Sequence, residues 1–283
     1  MIRLFFAITF TGFIVGCNSK RIVANLAEGK KTDIIYGSFP SSKMDVYLPA
    51  NRNTQTPFVI LIHGGSWVSG AKEDETPTQD SLMAHGIASA NINYRFANDS
   101  DIHYPQLLAD IDSAVNFCST HFQEWNIKKE NYILCGFSAG AHLALLYGFT
   151  TNKKINAIIA ESAPTDLTDT AILNYENRIG MIPEIEKIVG ATYTQEQPLA
   201  PAFAASSPID HVKNIPTLLI HGTADSLVPY SQAVNLDKML GSKNIPHRLI
   251  SIAGANHDCN INVPATRTMI YNEIVGWTLQ YGK

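Results

Sequence analysis

Tyr132-Ile133-Leu134-Cys135-Gly136-Phe137-Ser138-Ala139-Gly140 is the stretch on which the fold of this chain turns. Its first four residues are an apolar run, as in a strand covered on both faces. Ala139 to Phe149 reads as a buried helix. A strand that turns sharply into a helix strains its apex residue, and small neighbours leave room for main chain crossing nearby. Gly136 and Gly140 flank the apex, and Ser138 occupies it. Its hydroxyl is thereby presented outward, and the N–H groups of the first helical turn face any negative charge that develops beside it. Strand before and helix after are the context that makes G-x-S-x-G a nucleophile elbow. Ser138 is the candidate nucleophile, and the N–H of Ala139 a candidate oxyanion donor.

Outward from the elbow, strand and helix alternate. Lys43 to Leu48 alternates ahead of Pro49, as a half-buried strand does. Phe58 to Ile62 is a continuous apolar run, and Ile87 to Tyr94, Ile155 to Ala160, Thr217 to Ile220 and Arg248 to Ile252 are further strands. Leu107, Ile111, Val115, Cys118 and Phe122 recur at helical spacing behind Pro105. Ser231 to Leu240 and Thr266 to Leu279 are the later helices. This rhythm predicts an α/β fold, a mostly parallel sheet with helices on both faces. Residues 167–212 break it, with no strand and with Pro183, Pro198, Pro201 and Pro208. That segment reads as a helical insertion over one end of the sheet, either a surface decoration or a small cap walling a pocket.

Three more segments sit where such a sheet carries chemistry. His63-Gly64-Gly65-Ser66-Trp67 directly follows the strand at 58–62. A glycine pair there lets backbone N–H groups approach a substrate, and Gly64, Gly65 and Ser66 are candidates to complete the oxyanion hole with Ala139. Asp225 follows the strand at 217–220, at the sheet end where open α/β folds place ligands. His257 lies on the loop after the last strand. The order serine, acid, histidine matches the order in which this type of sheet assembles a triad. Asp258 is a less favourable acid, because adjacent side chains on an extended loop diverge. Asp166, also after a strand, is the reserve acid or a pocket residue. Trp67 is core or pocket wall, and His142 is a packed helix histidine or points toward the pocket.

Together these residues resemble the α/β-hydrolase superfamily from about Lys43 to Gly282. More narrowly the chain is similar to the lipase/esterase branch with a His-Gly-Gly-x-Trp oxyanion loop, which includes feruloyl and acetyl-xylan esterase-like proteins and arylformamidases. Val46-Tyr47-Leu48-Pro49, Asn93-Tyr94-Arg95, Tyr104-Pro105 through Asp110 and Pro164-Thr165-Asp166-Leu167 resemble weaker motifs of that branch. Ser66 stands where a His-Gly-Gly-Gly loop has its third glycine, which weakens a link to hormone-sensitive-lipase relatives and favours the His-Gly-Gly-x-Trp branch. The resemblance implies a serine carboxylic-ester hydrolase acting on small acyl or carbohydrate-linked esters. Its alternatives are an arylformamidase-type amide hydrolase and a catalytically silent binding module. The chemistry requires neither a metal nor an organic cofactor.

Composition narrows the field. The 283 residues are 45% hydrophobic and 16% charged, enough apolar material for a sizeable core. Net charge is −4 and the basic residues are scattered, which argues against a nucleic-acid partner. Arg3, a short apolar run to Gly16 and then Cys17 form a leader too short for an ordinary spanning helix. Ile14-Val15-Gly16-Cys17 resembles a bacterial lipobox. The resemblance implies a signal peptide over residues 1–16, a lipid on Cys17 as the sole membrane contact, and an exported lipoprotein of the cell envelope. Residues 17–31 then read as a tether, and 32–283 as one domain. Cys118 and Cys135 read as buried small hydrophobes, and no cysteine pair has zinc-ligand spacing.

Overall fold

The computed structural model describes residues 26–283; the expected leader and the candidate lipidation residue Cys17 lie outside the described residues. In chain order the first half holds β1 (Gly29–Ile35), β2 (Lys43–Leu48), β3 (Phe58–Ile62), α1 (Thr76–Ala84), β4 (Ala88–Ile92), α2 (Tyr104–Thr120), α3 (Phe122–Trp125) and β5 (Tyr132–Phe137). The second half holds α4 (Ala139–Thr150), β6 (Ile155–Glu161), α5 (Thr170–Ile179), α6 (Ile182–Val189), α7 (Pro201–Ala205), β7 (Thr217–Gly222), α8 (Ser231–Ser242), β8 (His247–Ile252) and α9 (Pro264–Tyr281).

The strands form one sheet in the order β1-β2-β4-β3-β5-β6-β7-β8. β1 and β2 run antiparallel at one edge, and every pairing from β4 to β8 is parallel. This is the α/β-hydrolase architecture. All five residues of β3 are fully buried, so side chains that alternate across the pleat go to two separate cores. Phe58, Ile60 and Ile62 pack with Leu134, Leu143 and Leu236 on one face. Val59 and Leu61 pack with Ile133, Leu82, Ile270 and Ile274 on the other. Burying each such side chain favours folding by roughly 1.5–3 kcal/mol, so this central run anchors both layers. Parallel strands carry their C-terminal ends to one edge of the sheet, and the loops after β3, β5, β6, β7 and β8 meet there.

Two elements depart from expectation. The tether expected to reach residue 31 ends earlier, because Gly29, Lys30 and Lys31 already pair with Leu48, Tyr47 and Val46. The sequence GKKTDII lacks an apolar alternation because β1 is an edge strand with most of its residues exposed. Helix α1 was also unanticipated: it buries only Thr78, Gln79 and Leu82, too few apolar positions to mark a helical face. Over residues 167–212 there is no strand, and α5, α6 and α7 fill the span with short helices.

Candidate active site

Ser138 sits between β5 and α4 with φ 52° and ψ −119°, a strained conformation for a residue with a side chain. The glycines around it are required by contact. A Cβ on Gly136 would lie 2.4 Å from the carbonyl of Gly140, and one on Gly140 would lie 2.0 Å from the carbonyl oxygen of Ile62. Helix α4 therefore passes against β3 and β5 with main chain touching main chain. The Ser138 N–H donates to the Glu161 carbonyl at 2.8 Å, which ties the turn to the end of β6.

His257 Nε2 lies 2.9 Å from Ser138 Oγ, and its Nδ1 lies 2.8 Å from Asp225 Oδ2. The other Asp225 oxygen accepts the N–H groups of Leu227 and Val228, each at 2.9 Å. His221 Nε2 approaches Asp225 Oδ2 to 3.1 Å. Burial alone would raise the Asp225 carboxyl, but hydrogen bonds from His221 and His257 hold it well below the ordinary carboxylate range. An ionised acid with its lone pairs already satisfied can orient the imidazole through Nδ1–H and leave Nε2 to take a proton from Ser138. His221, four residues before Asp225 at the end of a buried strand, carries no local sequence signal for this supporting role.

The loop after β3 curls through three positive-φ residues, Gly65 (111°), Ser66 (50°) and Trp67 (64°). A Cβ on Gly65 would meet the Ser69 carbonyl oxygen at 2.2 Å. Ser66 and Ala139 both line the cavity that holds Ser138, and among the described residues their N–H groups donate to no protein acceptor. Uncommitted donors beside a serine hydroxyl are what an oxyanion would require. The Gly64 and Gly65 N–H groups likewise donate to no protein acceptor among the described residues, and Gly64 also gives clearance: a Cβ there would stand 3.0 Å from Phe137 Cδ1 and 3.3 Å from Ser138 Cβ. Motifs from the next strand brace this loop. Tyr94 stacks on His63 with centroids 4.3 Å apart and donates to the His63 carbonyl, while Arg95 grips Asp110 at 2.7 Å.

The cavity at Ser138 encloses about 30 Å³ and is walled by Trp67, Leu167, Ile172, Leu173, Ile185 and Val228, with Glu176 among them. Helices α5 and α6 of the insertion supply much of this wall. Trp67 is both pocket wall and packed residue, 3% exposed. His142 does not reach the cavity, contrary to one expectation. It is fully buried, accepts from Trp67 Nε1 at 3.1 Å and bonds the Ser206 carbonyl at 2.8 Å. Burial pushes its imidazole down to about 4, which keeps it neutral and able to accept from Trp67 through Nδ1. Asp166 is likewise not a pocket residue or the triad acid. Its carboxylate accepts from the Thr168 N–H and hydroxyl and the Asp169 N–H, closing the turn before α5.

Gly64 and Gly65 line a second cavity of about 310 Å³, whose walls include Phe137, Glu75, Glu161 and Tyr271. Burial raises Glu75 to about 7, and burial with the Glu75 charge raises Glu161 to about 8. Neither carboxyl was singled out from the sequence. Among the described residues no cluster of three or more histidine, cysteine or acidic side chains is arranged to hold a metal ion. Cys118, Cys135 and Cys259 are buried and unpaired.

Comparison with known proteins agrees with this architecture. Esterase LipC of Mycobacterium tuberculosis is 25% identical over 240 residues, covering 79% of this chain and 58% of LipC. The non-reducing polyketide synthase Preu6 of Preussia isomera is 25% identical over 281 residues, covering 75% of this chain and 13% of that protein. The chain thus spans less than two thirds of the length of these relatives. A solved structure described as a truncated form of a carbohydrate esterase from gut microbiota superposes with a TM-score of 0.75 at 20% identity, covering 91% of this chain and 99% of that one. The BD-FAE family model matches residues 44–240, a span that includes Ser138 and Asp225 and stops before His257. With that match over most of its length, the chain belongs to the BD-FAE family.

Proposed function

We propose that this protein is a serine carboxylic-ester hydrolase acting through an acyl-enzyme on esters of short acyl groups, with carbohydrate-linked esters as the substrate class. The reading is carried by the unbroken line from Ser138 Oγ to His257 to Asp225, which ends in a small pocket with two uncommitted N–H groups. Ser138 Oγ attacks the acyl carbon as its proton passes to His257 Nε2. The carbonyl oxygen takes up negative charge against the Ser66 and Ala139 N–H groups. The acyl–oxygen bond breaks, and the same proton leaves on the alcohol. Water then repeats the sequence in reverse and frees the acid. Asp225 stays ionised throughout and holds the imidazolium. The restricted cavity favours acetyl-sized groups, and the likeness to a protein described as a carbohydrate esterase supports a sugar-borne alcohol.

Replacing Ser138 by Ala tests the reading. Turnover of p-nitrophenyl acetate should fall at least ~10³-fold with an unchanged melting temperature. Undiminished turnover in the folded variant would overturn it, and no turnover by the wild type would favour a binding role. A formyl amide fits the same small cavity, so an arylformamidase activity is the second reading; relative kcat/KM on formyl-aryl amides and acetylated sugars separates the two. We propose in addition that the chain is exported and held to a membrane of the bacterial envelope by lipid on Cys17, on the strength of the Ile14-Val15-Gly16-Cys17 run. Cys17→Ala should move the protein to the soluble fraction and abolish lipid labelling.

A further inference from the structure

Glu176 is out of place in the cavity that holds Ser138. It projects from α5 among Ile172, Leu173 and Ile185, and it is 6% exposed. No side chain or N–H among the described residues hydrogen-bonds its carboxyl, whose surroundings act on it only through burial and the Asp225 charge. Gln232, another polar residue of this wall, is engaged by protein partners. Its oxygen accepts from the Thr165 N–H and hydroxyl and the Asp166 N–H, and its amide donates to the Asp166 carbonyl. Glu176 is therefore a largely buried carboxyl that lines the cavity beside Ser138 and has no protein hydrogen-bond partner among the described residues. A leucine there would complete an apolar wall at no desolvation cost, so the carboxyl is explained by something that enters the pocket.

We propose that Glu176 sets acyl specificity by hydrogen-bonding the hydroxyl of a short 2-hydroxyacyl group, glycolyl or lactyl, on the ester that Ser138 attacks. Size restricts the chain: the space beside Ser138 is narrow and favours a short acyl group. Chemistry selects the hydroxyl. It donates to a carboxylate and accepts from a carboxylic acid, so the bond survives either protonation state of Glu176. An ammonium would bring three donors to one carboxyl in an otherwise apolar wall and leave the rest unsatisfied. The inference rests on the serine-hydrolase reading and adds the identity of the acyl group to it.

The experiment compares kcat/KM for p-nitrophenyl glycolate and p-nitrophenyl propionate, which exchange a hydroxyl for a methyl at nearly constant volume. Intrinsic reactivity differs between the two esters, but it cancels when the ratio is compared between wild type and variants. The glycolate-to-propionate ratio should be roughly 10–100-fold higher in wild type than in Glu176→Leu, the range expected when a buried hydrogen-bonding group loses its role in discrimination. Glu176→Gln keeps the shape, carries the test if the leucine variant does not fold, and should lower the ratio roughly 3–10-fold. A ratio unchanged in the folded variants, with propionate still hydrolysed, overturns this inference and leaves the hydrolase reading standing. No turnover of either ester by wild type, with no labelling of Ser138 by a fluorophosphonate, overturns the hydrolase reading itself.

Discussion

Ser162 Oγ donates to the backbone carbonyl of His257 at 2.7 Å, across the sheet edge between the end of β6 and the loop after β8. Ser162 is fully buried, has φ 48°, and sends its own N–H to the Ile220 carbonyl at 2.8 Å. The preceding residue, Glu161, accepts the Ser138 N–H. One two-residue segment therefore fixes both the Ser138 turn and the His257 loop. Ser162→Ala removes the bond to His257 and should cut kcat about tenfold with KM within a factor of two, since binding surfaces are untouched. A proportional rise in KM at constant kcat would place Ser162 in substrate binding instead.

The same contacts make the elbow intolerant of the smallest side chain. Gly140→Ala would push a methyl against the Ile62 and His63 carbonyl oxygens, at 2.0 and 2.4 Å, both main chain in a fully buried region. Neither can retreat without moving β3, so the variant should lose at least ~3 kcal/mol or fail to fold. Gly276→Ala is the control. Nothing lies within 4 Å of a Cβ there, and the site is inside α9, so helix propensity should raise stability by ~0.4–1 kcal/mol. Chemical denaturation of the two variants measures both signs.

Where these residues were legible in the sequence, the reason is the parallel sheet. Ser138, Asp225 and His257 each follow a strand, and parallel strands deliver their C-terminal ends to one edge, so order and position are enough to bring them together. Glu176 was not legible. Asn174-Tyr175-Glu176-Asn177-Arg178 reads as a solvated helical stretch, and only the packing of α5 against the sheet edge turns that carboxyl inward. His142 and Trp67 meet across 75 positions of sequence, so no local pattern reveals that the histidine supports the tryptophan from behind the pocket. β1 has no local signature because an exposed edge strand has no apolar face to announce it.

The three aspartates separate by what their carboxylates hold. Asp225 receives His257, His221 and two backbone N–H groups. Asp258 accepts only the Asn260 N–H at 2.8 Å, and Asp166 closes its own turn. Asp225→Asn presents an amide N–H or a weaker acceptor to Nδ1 and favours the wrong imidazole tautomer; in a comparable triad such a change lowers turnover ~10⁴-fold. Asp258→Asn and Asp166→Asn should retain kcat within about threefold, with a loss of at most ~1 kcal/mol in stability from a weakened turn. A crippled Asp166→Asn beside a near-normal Asp225→Asn, in kcat on one activated ester, would reassign the acid.

Glu161 gives the fold a pH dependence that can be read without substrate. Its carboxyl faces the second cavity with Glu75, and burial together with the Glu75 charge raises it to about 8 from an ordinary 4.5. A raised carboxyl binds its proton more tightly in the folded chain than in the unfolded one. Its stabilising share is therefore complete below pH 4.5 and is lost progressively as pH climbs through 8, where the folded state must also ionise. Glu161→Gln is isosteric, stays neutral, and is free of that loss. The melting temperature of the variant should rise relative to wild type as pH increases from 5 to 8.5, by roughly 4–8 °C in total, and the gap should level off above that. Glu75, raised to about 7 in the same cavity, remains in both proteins, so it cancels to first order in the difference. A gap that stays constant across this range, or narrows as pH rises, would mean that Glu161 is ionised in the folded protein at neutral pH and that the cavity solvates it.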